Sequence, residues 1–242
     1  PKPLAHASFA VERKLKVLWI EAEHLDAESL KGEKALDREA YDKAWASLAD
    51  ADGILVPGGF GIRATEGKMA AARYARTHGK PFFGICLGFQ LAVIEFARSV
   101  LELPAAHSTE FVADTPAPLV IFLPEGSRTQ MGGTMRLGAR RTLLSSPQCL
   151  TARLYGGAPA FDERHRHRYE VNPEYVQRLE KAGLEFVGKD TTGERMEVFE
   201  LKGHAYYVGC QFHPEFKSRP TKPSPLFLGL LQAASGVEVA EG

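Results

Sequence analysis

Pro81-Phe82-Phe83-Gly84-Ile85-Cys86-Leu87-Gly88 is the stretch on which the fold turns. Phe82 to Ile85 have the length and composition of a short buried strand, and the apolar run from Leu87 to Val100 that follows is long enough for a helix. Between them, Gly84-Ile85-Cys86-Leu87-Gly88 is the cysteine form of Gly-x-Ser-x-Gly, a strand-to-helix turn. The flanking glycines permit a sharp bend and close packing, which hold the central side chain at the carboxyl end of the strand. The helix that follows offers its positive N-terminus to a thiolate. A free cysteine, with a pKa of ~8.5, is only slightly ionised near neutral pH, so such a turn needs a partner base. The plain structural alternative is an inert cysteine buried at a strand-helix junction.

Upstream, Lys14 to Ile20 reads as a strand, and Asp37 to Leu48 as a helix with Ala40, Ala44, Trp45 and Leu48 on one stripe. Gly53 to Val56 is a short strand closed by Pro57-Gly58-Gly59, and Glu66 to His78 is an alanine-rich helix. Strands alternating with helices predict an α/β fold with a parallel sheet covered on both faces. After Leu103-Pro104 the pattern loosens. Strand-like runs fall at Val120–Leu123, Thr134–Leu137, Arg164–Val171, Leu184–Gly188, Met196–Leu201 and Tyr206–Phe212, and helices at Pro173–Lys181 and Pro225–Ala234. No composition break divides Leu15 from Ala234. The expected organisation is one α/β domain over 14–235, an unpatterned linker over 1–13 and a tail over 236–242. The absence of an initiator Met suggests a fragment of a longer polypeptide.

The 242 residues are 44% hydrophobic, enough for a sizeable core, and 30 Lys+Arg balance 30 Asp+Glu. Zero net charge gives no field to attract nucleic acid or an anionic membrane, and no apolar run approaches the ~20 residues that cross a bilayer. Cys86, Cys149 and Cys210 are too few and too scattered for a disulfide framework, and no Cys-x-x-Cys suggests zinc. A reducing compartment fits them.

A base for Cys86 stands in Gln211-Phe212-His213-Pro214-Glu215, at the end of the apolar run Tyr206 to Cys210. Glu215, two residues on and across a proline, has the reach to fix the tautomer of His213 while the ring faces the thiol, giving a Cys-His-Glu triad. Val56-Pro57-Gly58-Gly59-Phe60-Gly61 is no P-loop, because Gly67-Lys68 is followed by Met69 where Ser or Thr is required. As a turn at the end of a neighbouring strand it can supply the Gly59 N–H to an oxyanion hole, beside that of Leu87; a plain tight turn is the alternative. In Glu163-Arg164-His165-Arg166-His167-Arg168-Tyr169-Glu170, an extended chain puts Arg164, Arg166 and Arg168 on one face and His165 and His167 on the other. Two imidazoles alone make a poor metal site. The run is either a solvated basic strand or the source of one arginine that grips a carboxylate.

Together, Gly84 to Gly88 and His213-Pro214-Glu215 resemble the class I glutamine amidotransferases. Within these, Pro57 to Gly61, Ser108-Thr109-Glu110-Phe111, Gly132 to Gly138, Glu163 to Asn172 and Gln211 to Phe216 resemble the glutaminase domain of the CTP synthase family. The resemblance runs from Leu15 to Ala234. It implies a flavodoxin-like, doubly wound, mostly parallel sheet and the hydrolysis of L-glutamine through a Cys86 thioester, with His213 as base and acid oriented by Glu215. It also implies that glutamine is held by Gly59, by Leu87, Gly88, Phe89 and Gln90, by Glu110 at its ammonium and by Arg168 at its carboxylate. No metal or cofactor is implied for this domain. An N-terminal synthetase domain would use ATP, UTP and magnesium, with GTP as activator, in a homo-oligomeric cytoplasmic enzyme. Phe89 stands where the family usually has Met, and Ala64, after Arg63, where Gly is usual. A peptidase with the same elbow would want a site open beyond the amide, which Glu110 and Arg168 argue against, and a silent binding module would have lost a triad member.

Overall fold

The computed structural model describes residues 1–31, 37–123 and 135–239. In chain order its elements are α1 (Lys2–Ala10), α2 (Arg38–Asp50), β1 (Ile54–Val56), α3 (Thr65–Thr77), β2 (Phe82–Ile85), α4 (Leu87–Ser99), β3 (Ala106–Ser108) and β4 (Ala117–Phe122). There follow β5 (Arg136–Leu144), α5 (Leu150–Leu154), β6 (Ala160–His167), β7 (Tyr169–Val171), α6 (Pro173–Lys181), β8 (Leu184–Asp190), β9 (Met196–Leu201), β10 (Tyr207–Cys210) and α7 (Pro225–Ala234). Seven strands form one sheet in the order β1-β2-β10-β9-β8-β5-β6, and β3-β4-β7 form a second. The parallel order read from the early strands is that of β1, β2 and β10. Beyond β10 the ladder continues antiparallel through β9, β8, β5 and β6, an extension that the loosened pattern after Leu103 did not disclose.

Successive residues of a strand point to opposite faces, and β2 and β10 use both. Phe82 and Tyr207 stack at 4.5 Å on the α3 and α4 side, where Phe89 stacks on Phe199 at 5.2 Å. Phe83 meets Phe227 of α7 edge-on at 5.3 Å on the other side, beside Val208 and Cys210. Each fully buried aromatic of this kind contributes roughly 1.5–3 kcal/mol, so these central strands are firmly sandwiched. The Arg76–Glu95 pair at 2.7 Å, buried between α3 and α4, fixes the pitch of one helix on the other. α2 starts at Asp37, whose carboxylate accepts the Glu39 N–H, and it buries Ala44 and Leu48.

Three expectations are corrected. Lys14 to Ile20 forms no strand: among the described residues it pairs with no neighbour, and Trp19 is 79% exposed, so its β-forming side chains find no ladder there. The first 13 residues, expected as an unpatterned linker, contain α1, which lies against α7 with Ala7 fully buried and His6 Nδ1 3.0 Å from Ser218 Oγ. A nine-residue helix whose contact is made by Leu4, Ala7 and Ser8 gives too weak a periodicity to read. The single run Arg164–Val171 is two strands in two sheets, β6 and β7, broken at Arg168. The run at Thr134–Leu137 becomes β5 from Arg136 onward; Gly132, Gly133 and Thr134 lie outside the described residues.

Candidate active site

Cys86 follows β2 and begins the turn into α4 with φ 51° and ψ −102°. A non-glycine residue held in this region costs about 1–3 kcal/mol, which the surrounding packing must sustain. Both neighbouring glycines are forced by close approach. A Cβ on Gly84 would come within 2.8 Å of the Gly88 carbonyl oxygen, and one on Gly88 within 2.1 Å of that of Val56. The Cys86 N–H donates to the Cys210 carbonyl at 2.7 Å, locking the turn to β10.

Since β10 lies parallel to β2 with Cys210 opposite Ile85, the residues after both strands emerge side by side. That places His213 near Cys86. A Cβ on Gly58, at the end of β1, would stand 2.9 Å from His213 Cε1 and 3.3 Å from Cys86 Cβ, so the three chain ends meet at one point. The 3-10 turn Pro214–Phe216 brings Glu215 back to the ring, with His213 Nδ1 2.8 Å from Glu215 Oε1. Nε2 is buried and has no partner at ordinary hydrogen-bond geometry among the described residues. Burial alone would lower the His213 pKa, but hydrogen bonding to Cys86 and Glu215 outweighs it and raises the value to about 10. His213 therefore carries its proton near neutral pH and presents it toward the Cys86 sulfur.

Cys86 opens into a pocket lined also by Gly59, Leu87, Gln90, Glu110 and Arg168, all expected from sequence. Glu110 follows β3 in a turn where its N–H donates to Ser108 Oγ at 3.2 Å. Burial raises its pKa, against the lowering effects of the Gly61 N–H and Arg168. Arg168 stands at the break between β6 and β7, and its Nε is buried with no hydrogen-bond partner among the described residues. The pocket therefore holds an acid that lacks a full counter-charge and a guanidinium with an unused donor. Leu87 is the first residue of α4, so its N–H has no acceptor within the helix.

Two expected binding residues, Gly88 and Phe89, are not among those whose side chains line the pocket. The Phe89 ring lies wholly in the core, and Gly88 packs against Val56, so neither offers a side chain to the pocket. Phe60, His167 and Tyr169 line it unannounced by the sequence, and behind the lining the buried side chain of Gln211 lies 3.7 Å from Cys86 Sγ. Tyr169 and His167 flank Arg168 in the basic run, and that adjacency was the available signal. The alternation read from that run holds: Arg164 and Arg166 are exposed, while His165 and His167 are buried. The two imidazoles bond to each other at 3.1 Å, and His167 Nδ1 lies 3.0 Å from the Tyr169 carbonyl. Burial lowers their pKa values to about 2 and about 3, so both are neutral. No group of three or more His, Cys, Asp or Glu side chains among the described residues is arranged to hold a metal ion. No helix among them is long and apolar enough to cross a membrane.

The family model described as glutamine amidotransferase class-I matches residues 2–233. CTP synthase 1-B of Xenopus laevis is 54% identical over 235 residues, which are 97% of this chain and 39% of that protein. CTP synthase of Dictyostelium discoideum is 54% identical over 237 residues, covering 96% and 41%. The chain thus spans about two fifths of the length of these curated relatives. Among solved structures, the Trypanosoma brucei CTPS glutaminase domain with bound acivicin superposes with a TM-score of 0.86 at 36% identity, covering 98% of this chain and 86% of that one.

Proposed function

The chain belongs to the class I glutamine amidotransferases, a family of enzymes, and from that membership we propose that it hydrolyses L-glutamine to glutamate and ammonia at Cys86. The pocket supports this reading: it is lined by the elbow cysteine and also by one acid and one guanidinium, Glu110 and Arg168, which suit the ammonium and carboxylate of a free amino acid. The Cys86 thiolate attacks the side-chain amide carbon, an S–C bond forms, and the carbonyl electrons move to oxygen. The N–H groups of Gly59 and Leu87 receive that oxyanion. His213 gives its proton to the departing nitrogen, the C–N bond breaks, and ammonia leaves a thioester. His213, now neutral and steadied by Glu215, takes a proton from water as the water attacks. The S–C bond then breaks, and glutamate leaves with Cys86 restored. Gly88, Phe89 and Gln90 complete the glutamine site through backbone and packing, and no metal enters.

In the whole protein, the ammonia would serve an N-terminal synthetase domain in the ATP- and magnesium-dependent amination of UTP to CTP, with GTP as activator, in a cytoplasmic homo-oligomer. The identity to CTP synthases over nearly the whole chain supports this. The test is the purified chain with L-glutamine. Equal amounts of glutamate and ammonia are expected, lost in Cys86→Ala, and no CTP from UTP and ATP. Hydrolysis that survives Cys86→Ala near the parent rate overturns the nucleophile, and CTP formation by this chain overturns the domain assignment.

A further inference from the structure

We infer that Gln211 is a second hydrogen-bond donor to the Cys86 sulfur, aimed there by Gln90 and the Tyr169 carbonyl, and that it holds the thiolate without itself exchanging a proton. The inference rests on Cys86 being the nucleophile. Gln211 is 1% exposed, and its backbone N–H is fixed to the Glu197 carbonyl at 2.9 Å. Its side-chain polarity is set by a chain of contacts that begins at a group with only one role. The Tyr169 carbonyl can only accept, so the Gln90 atom 2.9 Å away is the NH2 group, Nε2. That same nitrogen lies 3.0 Å from Gln211, whose atom there must therefore be the acceptor Oε1. The NH2 of Gln211 is left facing Cys86 Sγ at 3.7 Å. A flipped Gln211 would oppose two donors at one end and turn an oxygen toward a thiolate at the other.

The sulfur has a contrasting neighbour in the Arg166 carbonyl at 3.9 Å, which can accept from the thiol and has nothing to offer the thiolate. An N–H gains far more from a charged acceptor than from a neutral thiol, so the Gln211 contact shifts the balance toward ionisation. It does the same whenever sulfur becomes the leaving group. The other ionisable groups that face this region are His213 with Glu215 behind it, Cys210 of β10, His167 and Arg168 at the end of β6, and Glu110 after β3. Gln211 is hydrogen-bonded to none of these among the described residues, so a change there reaches them only through the sulfur.

The experiment follows the pH dependence of iodoacetamide alkylation at Cys86 in the 242-residue chain, by intact mass and peptide mapping. In Gln211→Met, which keeps the volume and removes the donor, the midpoint should rise by about one pH unit, so that alkylation below it slows about tenfold. Gln90→Met, which frees the Gln211 amide to turn, should shift the midpoint the same way by less. In the unaltered chain, the side-chain 15N amide resonance of Gln211 should move along the alkylation profile, and it should not do so in Cys86→Ala. This measurement decides the matter if Gln211→Met fails to fold. An unmoved midpoint in folded Gln211→Met overturns the inference, as does a rate lowered equally at every pH or a Gln211 resonance indifferent to the sulfur. Alkylation needs no glutamine, so failure of the glutaminase reading would leave these outcomes distinct.

Discussion

Around the pocket, Arg168 Nε is buried without a hydrogen-bond partner among the described residues, and Cys86 sits in a costly backbone conformation. Between the antiparallel part of the large sheet and β7 of the small one, other buried charges stand in opposed pairs. Arg136 lies 2.9 Å from Glu197, and Arg195 lies 2.7 Å from Glu170 and 3.6 Å from Asp190. A buried donor left unpaired costs about 1–3 kcal/mol, so a fold that keeps such donors holds them for something that arrives later. Most charges of this cluster are matched within it, with Arg136 Nε and Glu197 Oε2 still lacking hydrogen-bond partners among the described residues, and what it supplies is the fixed position of the strands. Substitutions in the two regions should accordingly damage different properties.

The sharpest separation is Arg195→Met. It removes the guanidinium that stands against the buried carboxylates of Glu170 and Asp190, so unfolding stability in urea should fall by about 3–5 kcal/mol, while the folded protein keeps its glutamine kinetics. Arg168→Ala should do the reverse: the midpoint of unfolding hardly moves, whereas kcat/KM for glutamine falls by about 30-fold to several thousand-fold, equivalent to roughly 2–5 kcal/mol. Discrimination between glutamine and its α-amide should weaken with it. If Arg168→Ala chiefly lowered stability, the contrast would collapse.

Glu163 lies on β6, outside both regions. It is buried, receives the Tyr155 hydroxyl at 3.0 Å, and is raised from 4.5 to about 7 by burial, against the lowering effects of Lys217 and Tyr155. The folded state therefore binds an extra proton between those values. The contribution of this carboxyl is fully present below its unfolded value and is lost as pH rises through the folded one. Glu163→Gln mimics the protonated form, so it should match the parent chain in acid and exceed it in alkaline solution by at most roughly 3 kcal/mol. Urea titrations at both extremes would check this, and equal stability at alkaline pH would remove Glu163 from the account. The smallest effect should come from Ala64, which adopts φ 56° and ψ 26° at the start of α3. The backbone there has a glycine conformation carrying an alanine, and Ala64→Gly should stabilise by about 0.5–1 kcal/mol, a few degrees in Tm.

Much of the pocket was legible because its chemistry is local. Gly84 to Gly88 encode the elbow, and His213 to Glu215 encode a turn that closes on itself, so short motifs were enough. Helices with caps or prolines, such as α6 and α7, were readable to the residue for the same reason. Lys14 to Ile20 misled because a strand exists only if another strand accepts it, and its own composition is silent on that. The join of β6 and β7 was hidden because a continuous extended run gives no sign of changing sheets. Gln211 escaped because its role depends on Gln90 and Tyr169, each far away in the chain.

The break at Arg168 also has a mechanical meaning. Cys86 hangs from the large sheet, Glu110 from β3 of the small one, and Arg168 is the splice between them. A molecule gripped at all three points is a rivet through two plates. With the rivet in place the small sheet cannot breathe apart from the large one, and the amides of β3, β4 and β7 should exchange with solvent more slowly and in step with those of β2.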